Sequence, residues 1–221
     1  MNRKRRIYQF IITLILFGNI WVVKAQNDYD HLKPVGSIFD VYNHSFEYYP
    51  KIRKVLFKGL SEIGSEIRFQ VVPSFFSESI LCIEFDRGKN KYYIVYHICE
   101  KPIWNNKNWR TIKVKKFKSE IDKKSVELIK SLFGIAISQV RFPQTDTYYK
   151  GLDGADYYFS IHDSWYGKKS GTVWSPDAKT KMIKLVDIGN KLIELAKSKK
   201  EIVKIDEKLE KEIKELIEEL K

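Results

Sequence analysis

Histidine, cysteine and catalytic fingerprints are what this sequence has least of. Four His and two Cys are spread over 221 residues, with no CxxC pair and no paired-His spacing, so the usual ligand sets of a zinc site are missing. GxSxG, HExxH, a phosphate-binding loop and the dinucleotide fingerprint are also absent, which removes the enzyme classes those motifs define. No cofactor and no metal is expected. His44 and His97 stand alone in sequence, as hydrogen-bonded core or surface histidines usually do.

What is present begins with targeting. Arg3, Lys4, Arg5 and Arg6 precede an apolar stretch from Ile7 to Val23, and Val23-Lys24-Ala25 offers a signal peptidase its aliphatic and small residues. The pattern predicts a secretory signal peptide over 1–25, cleaved after Ala25, and hence a periplasmic or extracellular protein. The rival reading is an uncleaved membrane anchor, because an apolar run of about 17 residues can just span a bilayer.

Cleavage changes the charge. The whole chain is formally +12, but residues 1–25 hold five Lys/Arg and no acid, leaving 35 basic and 28 acidic residues and a net of +7. Residues 201–221 carry five Lys and eight acids, so the body from 26 to 200 is +10 and the tail −3. A remaining length of 196 residues suits one α+β domain over 26–200 with a charged amphipathic helical tail over 201–221.

Periodicity predicts six strands, near 67–72, 79–85, 92–99, 111–117, 155–162 and 171–174, in an antiparallel sheet packed on two or three helices. Tyr92, Ile94, Tyr96 and Ile98 share one face of the third strand. A first helix runs from Pro50 through Ile52, Val55, Leu56, Leu60 and Ile63 to a stop at Gly64. A second, capped by Asp122, runs to about Val140 before Pro143, and its apolar "LFGIAIS" half belongs in the core. Ser175-Pro176-Asp177 reads as the cap and first turn of a third. Export would expose Cys82 and Cys99 to oxidants, so either a disulfide or two buried thiols is open. A hairpin centred near Gly88-Lys89 sets Cys82 opposite Val95 and Cys99 opposite Glu78, which is beyond the roughly 7 Å that a bridge allows between Cα atoms.

Three segments are candidates for function. In "GLDGADYYFSIHDSWYGKKSGTVWSPD", residues 151–177, the Asp-Gly turn and the alternation of Tyr157, Phe159 and Ile161 account for most positions structurally. His162 and Asp163 are neighbours on a strand and point to opposite faces, which is wrong for a catalytic dyad. Asp153, Asp156, His162 and Asp163 are the only residues of this segment to name for a glycan hydrolase, and no spacing brings two carboxylates together. In the second segment, Lys101 to Lys130, ten Lys/Arg face three acids, with two indoles in "KPIWNNKNWR". Trp104, Trp109, Arg110, Lys113 and Lys115 there suit an anionic glycan or an anionic membrane surface. Export argues against nucleic acid. Third, Ile205, Leu209, Ile213, Leu216 and Leu220 form an apolar stripe that must be buried, either on the chain's own domain or on a protein partner. A capping box at Ser198 or a cap at Asp206, with "EIVKI" extended, can begin that helix.

The ordered set "VKAQN", "VPSF", "AISQ", "GLDGADYYF" and "GTVWSPD", followed by a Leu/Ile helix, resembles uncharacterised secreted proteins of the Bacteroidetes type over about residues 65–196. The resemblance implies export and a small common fold, and carries no activity or catalytic residue with it. The function expected is therefore a non-enzymatic envelope or secreted binding protein, with a secreted glycan hydrolase as the alternative.

Overall fold

The computed structural model describes residues 30–35, 47–61, 65–142 and 153–221. The segment 1–25, read from sequence as a signal peptide, and the positions of His44, Ile63, Gly64 and Pro143 lie outside them. The described chain is α+β, built on one eight-stranded sheet. In chain order its elements are β1 (Lys33–Pro34), α1 (Tyr48–Leu56), β2 (Ser65–Pro73), β3 (Ser79–Asp86), β4 (Lys91–Cys99), a 3-10 turn (Trp109–Thr111) and β5 (Val114–Ile121). There follow α2 (Lys123–Ser138), β6 (Ala155–Asp163), β7 (Gly167–Trp174), α3 (Lys181–Lys197), β8 (Ile202–Val203) and α4 (Glu207–Leu220). The strands lie in the order β1-β7-β6-β2-β3-β4-β5-β8. Every neighbouring pair is antiparallel except β5 with β8.

The sheet has two more strands than the sequence predicted, and both are two-residue edge pieces too short to show alternation. The β3–β4 hairpin has the expected register: Cys82 opposes Val95, and the Cys99 amide donates to the Glu78 carbonyl at 3.0 Å. Both cysteines are free and buried. Burial pushes each thiol up to about 12, with Glu78 adding to it at Cys99, so neither is a nucleophile near neutral pH.

Alternation along the strands sends residues to two layers. Ile67, Phe69, Leu81, Ile83, Ile94, Tyr96 and Phe159 point to one face and pack under α2, α3 and α4. The opposite face holds a smaller core, in which Val72, Ile80, Cys82, Val95 and Cys99 meet Ile52 and Leu56 of α1 and Ile103 of the β4–β5 connection. Gly189 of α3 lets the helix close on the sheet, since a Cβ there would stand 2.5 Å from the Phe69 ring.

Two helix limits differ from expectation. α1 ends at Leu56, because Gly59 at φ +88 turns the chain well before Gly64. Asp122 caps α2 as expected, accepting from the Ser125 amide at 3.0 Å. Ser175 does not cap α3: at φ +33 its hydroxyl accepts instead from the Ala155 amide at 2.9 Å, and Thr180 caps the helix five residues later. The strand placed at 111–117 begins at Val114, after the 3-10 turn, and runs to Ile121. Before α4, Asp206 is the cap and Ile202-Val203 is extended, so Ser198 heads no capping box.

The apolar stripe of the tail is spent on the chain itself. Leu209, Ile213, Leu216 and Leu220 are buried, with Ile213 at 0 % exposure, and Ile205 is buried just ahead of the helix. α4 packs in the groove between α2 and α3 and is a full part of the helical layer. These side chains are covered by the chain's own domain, the first of the two destinations the sequence left open.

Candidate ligand-binding cleft

One cleft on the α1 face of the sheet is backed by a buried carboxylate. Glu78, just ahead of β3, is 0 % exposed. Its oxygens accept from the Ile103 amide at 2.9 and 3.0 Å, from the Trp104 amide at 3.2 Å and from the Tyr48 hydroxyl at 2.5 Å. A buried carboxylate is tolerated only when donors surround it, and here two backbone amides and a phenol do so. The arrangement pins the first turn of α1 and the β4–β5 connection to the sheet. Burial first, and the Glu78 hydrogen bond and charge next, hold the Tyr48 phenol well above its usual range, so Tyr48 stays a donor.

The connection is stiffened from within as well. Ile103 is sunk in the smaller core at 1 % exposure, Asn105 takes the left-handed conformation at φ +53, and the Asn106 side chain accepts from the Asn108 amide at 2.9 Å. Trp104 is thereby presented to solvent at 46 % exposure, edge-on to Tyr48 with ring centres 4.9 Å apart. Between them opens a cleft of about 380 Å³, lined also by Glu47, Lys51, Asn105, Asn106 and Lys107. Glu78 lies behind its wall rather than in it.

Of the other residues proposed for ligand binding, Trp109 is half-buried in the smaller core, with the Arg110 guanidinium 4.5 Å from its ring centre. Lys113 and Lys115 are exposed. Lys115 pairs with Ile98, whose side chain packs on the α2–α4 side, so strand alternation points it away from Trp104. The structure therefore joins Trp104 to Tyr48, Lys51 and Lys107 in one cleft, whose lining includes neither Trp109 nor Lys115. Sequence reading missed Tyr48 and Glu78. The one available signal was the positional pairing of Glu78 with Cys99, which sets an acid at the mouth of the "KPIW" connection.

The residues named for hydrolysis do not converge. Asp156 and Asp163 stand at opposite ends of β6, about 23 Å apart at the usual rise per strand residue, against the 5–10 Å or so that flanks a glycosidic bond. Asp163 is a turn staple: it accepts from the Trp165 and Tyr166 amides at 2.9 and 3.1 Å and pairs with Lys169 at 3.0 Å. The Lys169 hydrogen bond, then those two amides, hold its carboxyl down at about 2. His162 sits on the α1 face opposite Lys168, and Asp153 is exposed ahead of β6. A depression beside α3 does include Asp187 and Glu194, but Glu194 is paired with Lys197 at 2.8 Å in solvent. No group of three or more His, Cys, Asp or Glu able to hold a metal exists among the described residues, and none of their helices is long and apolar enough to cross a membrane. No protein-family model, curated protein or solved structure matches the chain.

Proposed function

We propose that this is an exported binding protein of the envelope or extracellular space, without chemistry of its own, that holds a ring of a glycan chain in the Trp104 cleft. The observation that carries this reading is the exposed Trp104 indole fixed in place by Glu78. An exposed aromatic ring normally costs solubility without return. Here one buried carboxylate, two backbone amides and Tyr48 hold it rigid beside amide side chains and two lysines, the mix of flat apolar surface and directed polar groups by which binding sites grip sugars. The volume of about 380 Å³ accommodates a small ligand or one unit of a polymer. Lys51 is paired with Glu47 at 3.6 Å, so Lys107 supplies the cleft's net positive charge, which favours a chain bearing acidic groups. The targeting pattern of residues 1–25 and the resemblance to secreted Bacteroidetes proteins support export.

The test is calorimetric titration of the processed protein with an oligogalacturonate and with a neutral cello-oligosaccharide. Saturable binding is expected, stronger for the acidic chain, with Trp104→Ala weakening it about 30-fold, as loss of a central aromatic anchor does. Trp109→Phe should leave it unchanged. Absence of saturable binding to either chain, or indifference to Trp104→Ala, overturns the cleft reading. Shorter oligosaccharides appearing in the same incubation would restore the hydrolase instead. Mass analysis of the secreted protein should find Gln26 at its amino terminus.

A further inference from the structure

Trp165 and Tyr166 lie in the turn between β6 and β7, and at 90 % and 78 % exposure their rings stand almost clear of the protein. The backbone beneath them is fixed. Asp163 accepts from both of their amides, and Lys169, which pairs with Asp163 at 3.0 Å, sets its ammonium 4.5 Å from the Tyr166 ring centre. Gly167 at φ +73 completes the turn in a conformation that other residues rarely adopt. A turn pinned in this way holds both rings out from the sheet.

The strand register places a second hairpin turn at the same end of the sheet. Ile161, Ile67, Ile83 and Ile94 form one row across β6, β2, β3 and β4, and the 163–169 and 86–91 turns both project beyond it. Their strands β6 and β3 are two spacings apart, about 10 Å. Asp86 accepts from the Gly88 and Lys89 amides and so fixes the second turn as Asp163 does the first. The two turns hold five Lys/Arg against two acids, and the surplus remains when Glu120, the partner of Lys91, and Glu62, on the connection into β2, are counted with them. Arg87, Lys89 and Lys168 are exposed.

We propose that these two turns dock the protein on an anionic phospholipid surface, with Trp165 and Tyr166 seated at headgroup level and Arg87, Lys89 and Lys168 against lipid phosphates. Each of the two rings joins an apolar body to a polar edge, which suits the boundary between hydrocarbon and water. Cations beside them draw anionic headgroups. Rings on a projecting turn fit a surface that yields to them, whereas a sugar chain is gripped in a cleft. Phe75 and Phe76 are exposed too, but they lie between β2 and β3 at the other end of the sheet and have no polar edge. Docking by the turns would hold the Trp104 cleft away from the lipid, because β3 starts beside Trp104 and runs about 25 Å toward them. The proposal does not rest on that cleft binding a glycan.

Sedimentation of the processed protein with vesicles of phosphatidylcholine, with or without phosphatidylglycerol, provides the test. The protein should sediment with the anionic vesicles, be released as salt rises, and stay in solution with phosphatidylcholine alone. Trp165→Ser with Tyr166→Ser should weaken partition about tenfold, through the lost apolar area. Arg87→Gln with Lys89→Gln should weaken it about 25-fold, at about fivefold for each charge near the surface. Phe75→Ser with Phe76→Ser should change it less than about twofold, since rings away from the lipid bury no area there. Trp104→Ala should leave it intact, which keeps failure here distinct from failure of the glycan reading. Brominated lipid should quench the fluorescence of the wild type and quench Trp165→Phe, which keeps an apolar ring, distinctly less. Partition that ignores phosphatidylglycerol, equal losses from the two aromatic pairs, or quenching unchanged in Trp165→Phe would overturn the proposal. So would a Trp165→Ser, Tyr166→Ser protein that keeps vesicle binding and loses the oligogalacturonate, which would make the turn a glycan platform instead.

Discussion

At His97 one ring nitrogen ties the end of α1 to the middle of the sheet. His97 is 2 % exposed, and its Nδ1 lies 2.7 Å from the Leu56 carbonyl, one of the groups that a helix end leaves unpaired. Burial, partly opposed by that bond, lowers its pKa below the ordinary value of 6.5, and Lys116 lowers it further. A group with a depressed folded pKa binds protons more readily when unfolded. Its contribution is therefore full above about pH 6.5 and declines as pH falls from there through the lowered folded value. The thermal midpoint of wild type should fall between pH 7 and 5 more steeply than that of His97→Asn, whose amide can still donate to Leu56 but does not titrate. Parallel pH profiles for the two proteins would show that His97 is not the group responsible. Glu78 stands in a comparable position, as a buried polar residue whose partners come from distant chain. Glu78→Gln exchanges one acceptor for a donor facing amides that are donors themselves, and should cost about 1–3 kcal/mol in unfolding free energy while weakening ligand binding at Trp104. A Glu78→Gln protein as stable as wild type would mean that the carboxylate does not organise the loop. Neither residue announces this role in sequence, because satisfaction of a buried polar group depends on which backbone arrives next to it.

Among the elements, α4 shows how magnitude decides between a tail and a structural helix. Five of its side chains are buried, Leu209, Ile213, Leu216, Ile217 and Leu220. At roughly 1.5–3 kcal/mol for each, their burial amounts to about 7–15 kcal/mol, as much as the whole stability of an ordinary domain. Lys184 to Glu219 at 2.6 Å and Lys124 to Glu210 at 3.1 Å add surface pairs of little weight. A chain ending at Lys200 should consequently lose cooperative unfolding and near-ultraviolet circular dichroism, while Ile213→Ala should fold with about 2–5 kcal/mol less stability. A truncated chain that still unfolds cooperatively would make α4 an appendage after all. The helical stripe itself was plain in sequence, since its spacing is local. Its destination was not, because the groove that receives it forms from α2 and α3. The same division holds elsewhere. Alternation gave six strands and the β3–β4 register, whereas Ser175 left its expected capping role because the Ala155 amide, from a strand paired across the corner, competed for its hydroxyl. The Lys-rich "VKKFKSEI" hid the true span of β5, since only Ser119 and Ile121 on its inner side are buried.

At the scale of the whole molecule the sheet separates two electrostatic surfaces. The acids of α4 lie on the helical side, where Glu210, Glu212 and Glu219 are paired with lysines of α2 and α3. The α1 side carries Lys51, Lys107 and Glu47 at the Trp104 cleft, and Arg68 and Lys168 above β2, β6 and β7. Lys118 sits over Tyr93 at 4.2 Å on that side too. Net charge alone understates this, because the −3 of residues 201–221 offsets part of the +10 of the body while standing on the opposite layer. A flexible polyanion senses the nearer surface, screened beyond about 8–10 Å at physiological salt. Retention on an immobilised acidic polysaccharide should therefore fall as salt rises, and should depend on which lysines are removed rather than how many. The triple substitution Lys51→Gln, Lys107→Gln and Lys118→Gln should lower the salt needed for elution. Lys208→Gln, Lys211→Gln and Lys221→Gln together, an identical change in net charge on α4 and the chain end, should leave it nearly unchanged. Equal shifts from the two sets would mean that the polymer responds to overall charge, and that the α1 side of the sheet is not the binding surface.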